Sequence, residues 1–266
     1  MPIIRIDRAD DPRIAAYTSI REKDLMRGHG GRFIVEGKVT LGTLLTRSRF
    51  APESLFVAES RLEPLAELLA RVPGETPIYT AAQALMDQIV GFPIHRGVLA
   101  CARKGTPNTS ADLLTNAQTV LCLIGLSNHD NIGACFRNAA AFGADAVLLD
   151  QSCGDPLYRK SIRVSSGTTL TLPFAQELAG DDLLDTLTAA GFDIWCLTPR
   201  TEATAINTLT RPEKLALVLG PEGPGLSDRL IMRGRPVRIP MVDGFDSINV
   251  ATAGAIALSA VFNSAP

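Results

Sequence analysis

The sequence predicts an α/β protein, in which a C-terminal domain on a mainly parallel sheet follows a smaller α/β domain. Three observations lead there. Short apolar runs alternate with helically spaced segments from residue 119 onward, the pattern of strands covered on both faces. Between Lys104 and Asp112 the stretch KGTPNTSAD holds no large apolar residue and reads as a linker, so the expected division is 1–107, a linker over 108–118, and 119–266. The 266 residues, 46 % of them apolar, suffice for one large or two modest domains without disulfide or metal.

In the first domain Ile14 to Met26 has helical spacing, Arg32 to Glu36 (RFIVE) reads as a strand and Val39 to Leu45 as a helix. Ser54 to Val57 is a strand, and Pro64 to Arg71 a helix closed by Pro73-Gly74. Ile78-Tyr79 and Gly97 to Ala102 supply strands around a helix from Gln83 to Ile89. The order describes a small α/β sandwich. In the second domain Thr119 to Leu126, Ala146 to Leu149, Ile194 to Leu197, Leu215 to Leu219 and Val237 to Met241 are expected strands. Helices are expected up to Gly143, near 181–190 and 226–233, and from Asn249 to Phe262. The last is rich in small residues (Ala251, Ala253, Gly254, Ala255, Ala257), which lets another backbone approach closely.

Composition excludes several classes of function. With 26 Lys+Arg against 28 Asp+Glu, the net charge of −2 is not that of a polycationic nucleic-acid binder. The charge is uneven, however: +3 before residue 107, +4 over residues 1–49, and −5 after the boundary. Such a split points to an anion as partner of the first half; a solvated basic helix face is the plainer alternative. The five cysteines (Cys101, Cys122, Cys135, Cys153, Cys196) are widely spaced and mostly sit in apolar runs, which reads as reduced thiols of a cytoplasmic protein. Three histidines, none at ligand spacing from a cysteine or another histidine, give a metal centre or a hydrolase triad little material. The start, MPIIRIDRADDP, is too polar for a signal peptide, and the apolar stretch near 253–262 is too short to span a bilayer. No metal and no membrane are therefore expected.

In open α/β sheets ligands bind beyond the carboxyl ends of the strands, so three post-strand segments draw the chemistry. The first is Ser127 to Arg137 (SNHDNIGACFR). Asp130 or Asn131 is the expected N-cap, and Ile132, Cys135, Phe136 and Ala139 form the buried stripe. Arg137 lies off that stripe, beside Gly133 and Ala141, so its guanidinium emerges from a nearly bare surface suited to a backbone or a polyanion. A surface arginine paired with a nearby acid is the ordinary reading. The second is Gly220 to Leu226 (GPEGPGL), a rigid loop whose backbone groups can approach a ligand, with Glu222 its one ionisable side chain. It lacks the Gly-Lys-Ser/Thr of a triphosphate loop, and no G-x-G-x-x-G follows any strand. The third is Arg238 to Val250 (RIPMVDGFDSINV), where Ser247 is the expected cap of the last helix and Asn249 a second short polar group beside it.

Together these segments resemble, in order and spacing, the motifs of the SpoU (TrmH-like) class of SPOUT RNA methyltransferases. The N-x-G-x-x-x-R-x-A pattern stands here as Asn131, Gly133, Arg137 and Ala139, and the Gly-rich pattern as Gly220, Glu222, Gly223, Gly225 and Leu226. Ile239-Pro240-Met241 and Ser247-Ile248-Asn249-Val250 match the third, with isoleucine where leucine is usual. The stretch 155–168 (DPLYRKSIRVSSGT) looks like the family's connecting segment, and RFIVEG (32–37) like the opening of an L30e-like substrate-binding domain.

The resemblance implies 2′-O-methylation of a ribose in structured RNA with S-adenosyl-L-methionine as donor, a homodimer, and a deep C-terminal trefoil knot, a rare exception to ordinary chain connections. It also implies that Leu197, Thr198, Leu219, Gly220, Ile239, Met241 and Ile248 hold the cofactor. Asn131, Arg137, Glu222, Ser247 and Asn249 would then surround the target nucleotide as the catalytic set. A guanidinium, with its planar fork of donors, is better suited to anchoring phosphate than to taking a proton, so Arg137 is read as an anchor, with a base role left open. A first domain of this size favours ribosomal RNA over transfer RNA. An RNA-binding module without catalysis and an oxidoreductase are the competing readings, the latter opposed by the missing dinucleotide fingerprint.

Overall fold

The computed structural model of the chain describes residues 2–18, 20 and 31–263. They fall into two compact units, one formed by 1–106 with 157–171 and the other by 107–156 with 172–266.

The first unit holds a five-stranded mixed sheet of β1 (Ile3–Arg5), β2 (Arg32–Glu36), β3 (Pro52–Ala58), β4 (Ile78–Ala81) and β5 (Val98–Arg103), in the order β1-β4-β3-β5-β2. β1, β4 and β3 run parallel, while β5 is antiparallel to both β3 and β2. Helix α1 (Lys38–Thr46) follows β2, and α2 (Gln83–Val90) ends at Gly91, whose φ of 88° only glycine adopts without strain. The expected helix over 64–71 shrinks to one turn, Ala66–Leu69. Tyr17, Ile34, Phe56, Met86 and Leu99 pack together as the core, and the Tyr17 hydroxyl satisfies the Ser54 carbonyl and the Cys101 N–H inside it. Of the helix expected over Ile14 to Met26, a 3-10 segment Pro12–Tyr17 is present; Ser19 and Arg21 to Met26 lie outside the described residues.

The second unit is built on β6 (Thr119–Leu123), β7 (Ala146–Asp150), β8 (Phe174–Leu178), β9 (Asp193–Leu197), β10 (Thr204–Ala205), β11 (Leu215–Leu219) and β12 (Arg235–Arg238). Their order is β10-β12-β9-β11-β6-β7-β8, and every pairing is parallel. Alternate residues serve opposite faces. Leu121, Leu123, Leu217 and Leu219 pack on one side with α3 (His129–Ala141) and α5 (Val250–Asn263). Val120, Cys122, Val218 and Cys196 pack on the other with α4 (Gly180–Ala189). The direction of strand addition reverses between β6 and β11, which makes the carboxyl ends there the natural ligand site.

Several expectations are corrected. The stretch 108–118, a linker by composition, contains a helical turn Ser110–Leu114 with both end residues buried. Thr109 caps it, Asn108 Nδ2 donates to the Phe174 carbonyl at 3.0 Å, and the Ser110 N–H donates to Glu177. Burial against β8 outweighs local composition there. The first strand of the unit ends at Leu123 instead of Leu126, and the last at Arg238, so Ile239 and Met241 have already left the sheet. The helix expected over 226–233 is Asp228–Ile231. β1, β8 and β10 carry no apolar alternation strong enough to announce them; β8 (FAQEL) is an edge strand with polar Gln176 and Glu177. Of the connecting segment 155–168, residues 157–168, which include a helix Arg159–Val164, belong with 169–171 to the first unit. There Arg159 pairs with the buried Glu36, and a Cβ at Gly167 would stand 3.1 Å from Thr43.

Candidate active site

Three loops meet at the carboxyl ends of β9, β11 and β12 around a cavity of about 390 Å³. Leu197, Thr198, Leu219, Gly220, Ile239, Met241 and Ile248 all line it, as do Glu222, Ser247 and Asn249. Pro199, Arg200, Val237 and Ala253, none of them expected as site residues, line it too; position beyond or within a strand end was the signal available for the first three.

The Gly-rich loop has its shape for a steric reason. A Cβ on Gly220 would lie 2.6 Å from the Leu226 nitrogen, so the loop folds back over its own first residue only because that residue is glycine. Gly225 N–H closes the turn on the Pro221 carbonyl at 3.1 Å, with φ of 67° at Gly225. Its backbone, and the exposed Glu222 carboxylate, therefore face the cavity without intervening side chains.

Asn249 organises the polar end of the site. Its Oδ1 accepts from the N–H groups of Ala251 and Thr252, at 2.9 and 3.2 Å, capping α5. Its Nδ2 donates to Asn131 Oδ1 and to Glu222 Oε1, both at 2.9 Å. All four hydrogen-bonding positions of one amide are thus used, and side chains from three separate segments are locked together. Ser247, expected to cap this helix, stays exposed in the preceding loop. Similarly, α3 is capped by Asn128, whose side chain accepts from the Asp130 N–H at 2.8 Å; Asn131 is inside the helix and buried, free to face Asn249.

Arg137 is not brought to the cavity of its own chain. Six positions beyond Asn131 it is about 120° round the helix and roughly 9 Å further along. It is exposed, while Ile132, Cys135, Phe136 and Ala139 form the buried stripe the spacing predicts. The small residues of α5 permit close packing: Asn138 Nδ2 reaches the Ala251 carbonyl at 2.8 Å, and a Cβ at Gly254 would meet Leu219 at 2.9 Å. Cys135, beneath the site, is pushed up to about 12, first by burial and then by the nearby Glu222 charge, so it is a packing thiol rather than a nucleophile. Among the described residues no group of His, Cys, Asp and Glu is arranged to hold a metal, and no helix is long and apolar enough to cross a membrane.

Comparison with known proteins places the chain in a family. The SpoU rRNA Methylase family profile matches residues 118–259. An uncharacterized tRNA/rRNA methyltransferase of Mycobacterium tuberculosis is 39 % identical over 257 residues, covering 93 % of this chain and 88 % of that one. The 23S rRNA (guanosine-2′-O-)-methyltransferase RlmB of Haemophilus influenzae is 30 % identical over 239 residues, covering 84 % and 94 %. An AdoMet-bound rRNA methyltransferase from Sinorhizobium meliloti shares the fold with a TM-score of 0.79 at 20 % identity, over 98 % of both chains.

Proposed function

This chain belongs to the SpoU rRNA Methylase family, and from that premise we propose that it methylates a ribose 2′-hydroxyl of structured RNA with S-adenosylmethionine as donor. The observation that carries the reading is the Asn249 amide, which ties Asn131 and Glu222 together beside the cavity. The residues present suit the donor. Leu197, Leu219, Ile239 and Ile248 offer apolar walls to an adenine, the backbone of the Gly-rich loop offers N–H and C=O groups to its polar edges, and Met241 completes the lining. Thr198 is held at the wall by its N–H bond to the Val237 carbonyl at 2.9 Å. When bound, the cofactor supplies a methyl group on a cationic sulfonium, and Glu222 is the acidic side chain that favours positive charge at this cavity.

The protein's own part is positioning. Asn131, Glu222 and Asn249 form a pre-set polar frame for the target ribose, and Ser247 adds a hydroxyl at the same end. Arg137 serves as a phosphate anchor that orients the nucleotide and steadies charge developing on its oxygen, since its planar fork matches phosphate. Its exposed position away from the lining accords with contact to something outside its own cavity. The same reading includes a homodimer, supported by the exposed apolar side chains of Ile256 and Phe262 on α5 and of Val242 and Phe245 before it. It includes the family's trefoil knot, supported by three loops converging at the start of α5, and a cytoplasmic setting, supported by five free, buried thiols. The first unit, 1–106 with 157–171, is read as the RNA-facing part.

Ribosomal RNA is the proposed substrate, on the strength of the likeness to RlmB along most of both chains. The test is transfer of labelled methyl from S-adenosylmethionine into ribosomal and transfer RNA from cells lacking the gene, with the modified ribose mapped by its resistance to alkaline cleavage. Label confined to transfer RNA would move the substrate. Label in neither, with cofactor binding intact, would leave an RNA-binding module.

A further inference from the structure

The first unit gathers arginines around one short loop, and the cavity described above uses none of them. Loop 91–97 is the platform. The Arg159 guanidinium lies over the Phe92 ring at 4.8 Å. Arg61 donates to the His95 carbonyl at 3.4 Å, and its stem fills the space a Cβ on Gly97 would need, at 2.8 Å. Arg96 does the same at Gly37, again at 2.8 Å. Glycine at both positions, each with positive φ, is what lets these side chains lie flat on the backbone. Arg163 joins from the helix that carries Arg159, with its guanidinium 3.7 Å from Glu36.

The charges do not balance. Glu36 is the carboxylate paired with both Arg159 and Arg163. Arg61 finds a carbonyl, and Arg96 has no ion pair among the described residues. Arg159 Nε is buried without a hydrogen-bond partner, so even the best-paired member is incompletely satisfied. Segment 157–171 brings three cations and no acid into this unit, raising its formal charge to +6 while the other unit stands at −8. Arg159 and Arg163 share the Glu36 carboxylate, while the Asp87 carboxylate, which accepts from the Ile94 N–H of the same loop at 2.8 Å, is ion-paired with none of the four, and planar guanidinium forks left so are suited to phosphate oxygens.

We infer that Arg61, Arg96 and Arg163, with Arg159 behind them, form a phosphate-binding site of the first unit that takes the sugar–phosphate backbone of the substrate RNA. The inference rests on the reading of this chain as an RNA methyltransferase. It adds an anchoring site outside the methyl-transfer cavity, built jointly by the N-terminal segment and by a segment from the middle of the chain.

The test is filter binding of ribosomal RNA from cells lacking the gene to the full chain, over a range of salt, with Arg61→Ala, Arg96→Ala and Arg163→Ala. Arg8→Ala, whose side chain is already paired with Asp10, is the control. Each phosphate contact contributes about 0.7 to the slope of log affinity on log salt. The expected result is a slope lower by about that amount for each cluster variant and unchanged for the control. KM for RNA should rise at least fivefold, with kcat and S-adenosylmethionine affinity kept. Unchanged slopes in all three cluster variants, or an equal fall in the control, would overturn the site. Should the wild-type chain methylate transfer RNA only, the ribosomal assignment fails, and the same slopes measured on transfer RNA decide the arginine site. A wild-type chain that binds and methylates neither RNA removes both.

Discussion

The Asn249 amide donates to Asn131 Oδ1 at 2.9 Å across 118 residues of sequence, while its carbonyl oxygen caps α5. One side chain therefore ends a loop, starts a helix and fixes a second residue on another helix. Because the oxygen is committed to the helix N–H groups, the orientation of the amide is determined, and with it the donor face shown to Asn131 and Glu222.

Asn249→Asp separates capping from the network. A carboxylate caps at least as well as an amide and is favoured by the helix dipole, but it cannot donate to Asn131 or Glu222 and repels the latter. The expected outcome is a thermal midpoint within a few degrees of wild type and a kcat lower by about a hundredfold, the order of loss associated with misplaced reacting groups. Asn249→Ala should lose both activity and about 1 kcal/mol of stability. Calorimetric melting alongside a methyl-transfer assay checks the pair, and near-normal turnover in the aspartate variant would defeat the argument.

Gly220→Ala places a methyl 2.6 Å from the Leu226 nitrogen, so the loop must open. Cofactor affinity is expected to fall at least tenfold, or about 1.4 kcal/mol, while the melting profile moves little. Titration calorimetry with S-adenosylmethionine measures it.

Arg137→Lys keeps the charge and removes the fork. If anchoring is the role, methylation falls and KM for RNA rises at every pH, because an ammonium cannot reproduce the planar two-point contact. Full activity across the pH range would refute the anchor.

Glu36→Ala strands the Arg159 guanidinium, itself only 15 % exposed at the side chain. Removing one partner of a buried pair costs about 3 kcal/mol, whereas removing both restores part of it. Urea unfolding of Glu36→Ala and of Glu36→Ala/Arg159→Ala tests this, and equal stability of the single variant and wild type would contradict it.

Burial pushes the thiols of Cys101, Cys135 and Cys153 up to about 12 and that of Cys196 to about 11, against an ordinary value of 9.0. In the folded chain these thiols should resist a disulfide reagent at pH 8, and all five cysteines should react after denaturation. The linkage has a definite sign. A raised folded pKa means the unfolded chain loses its protons first, so this contribution to stability is complete below pH 9 and is lost as pH rises toward 12. Melting temperatures followed from pH 8 to 11 should fall only at the alkaline end.

The sequence by itself determined the features that are local. An apolar run such as LALVL is a covered strand wherever it stands, and Gly220, Glu222 and Asn249 follow strand ends by their order along the chain. The stripe Ile132, Cys135, Phe136, Ala139 was legible because helical period is a property of neighbours. Only the tertiary structure decided which polar residue caps which helix, since Asn249 and Asn128 prevail over Ser247 and Asp130 through partners fixed by the surrounding fold. It alone turned Ser110–Leu114 from linker into packed helix and gave 157–171 to the first unit, where Arg159 stacks over Phe92 of loop 91–97 and, with Arg163, faces Glu36. The physical reason is the same in each case: burial and charge compensation depend on surfaces supplied from far along the chain, and local spacing carries no record of them.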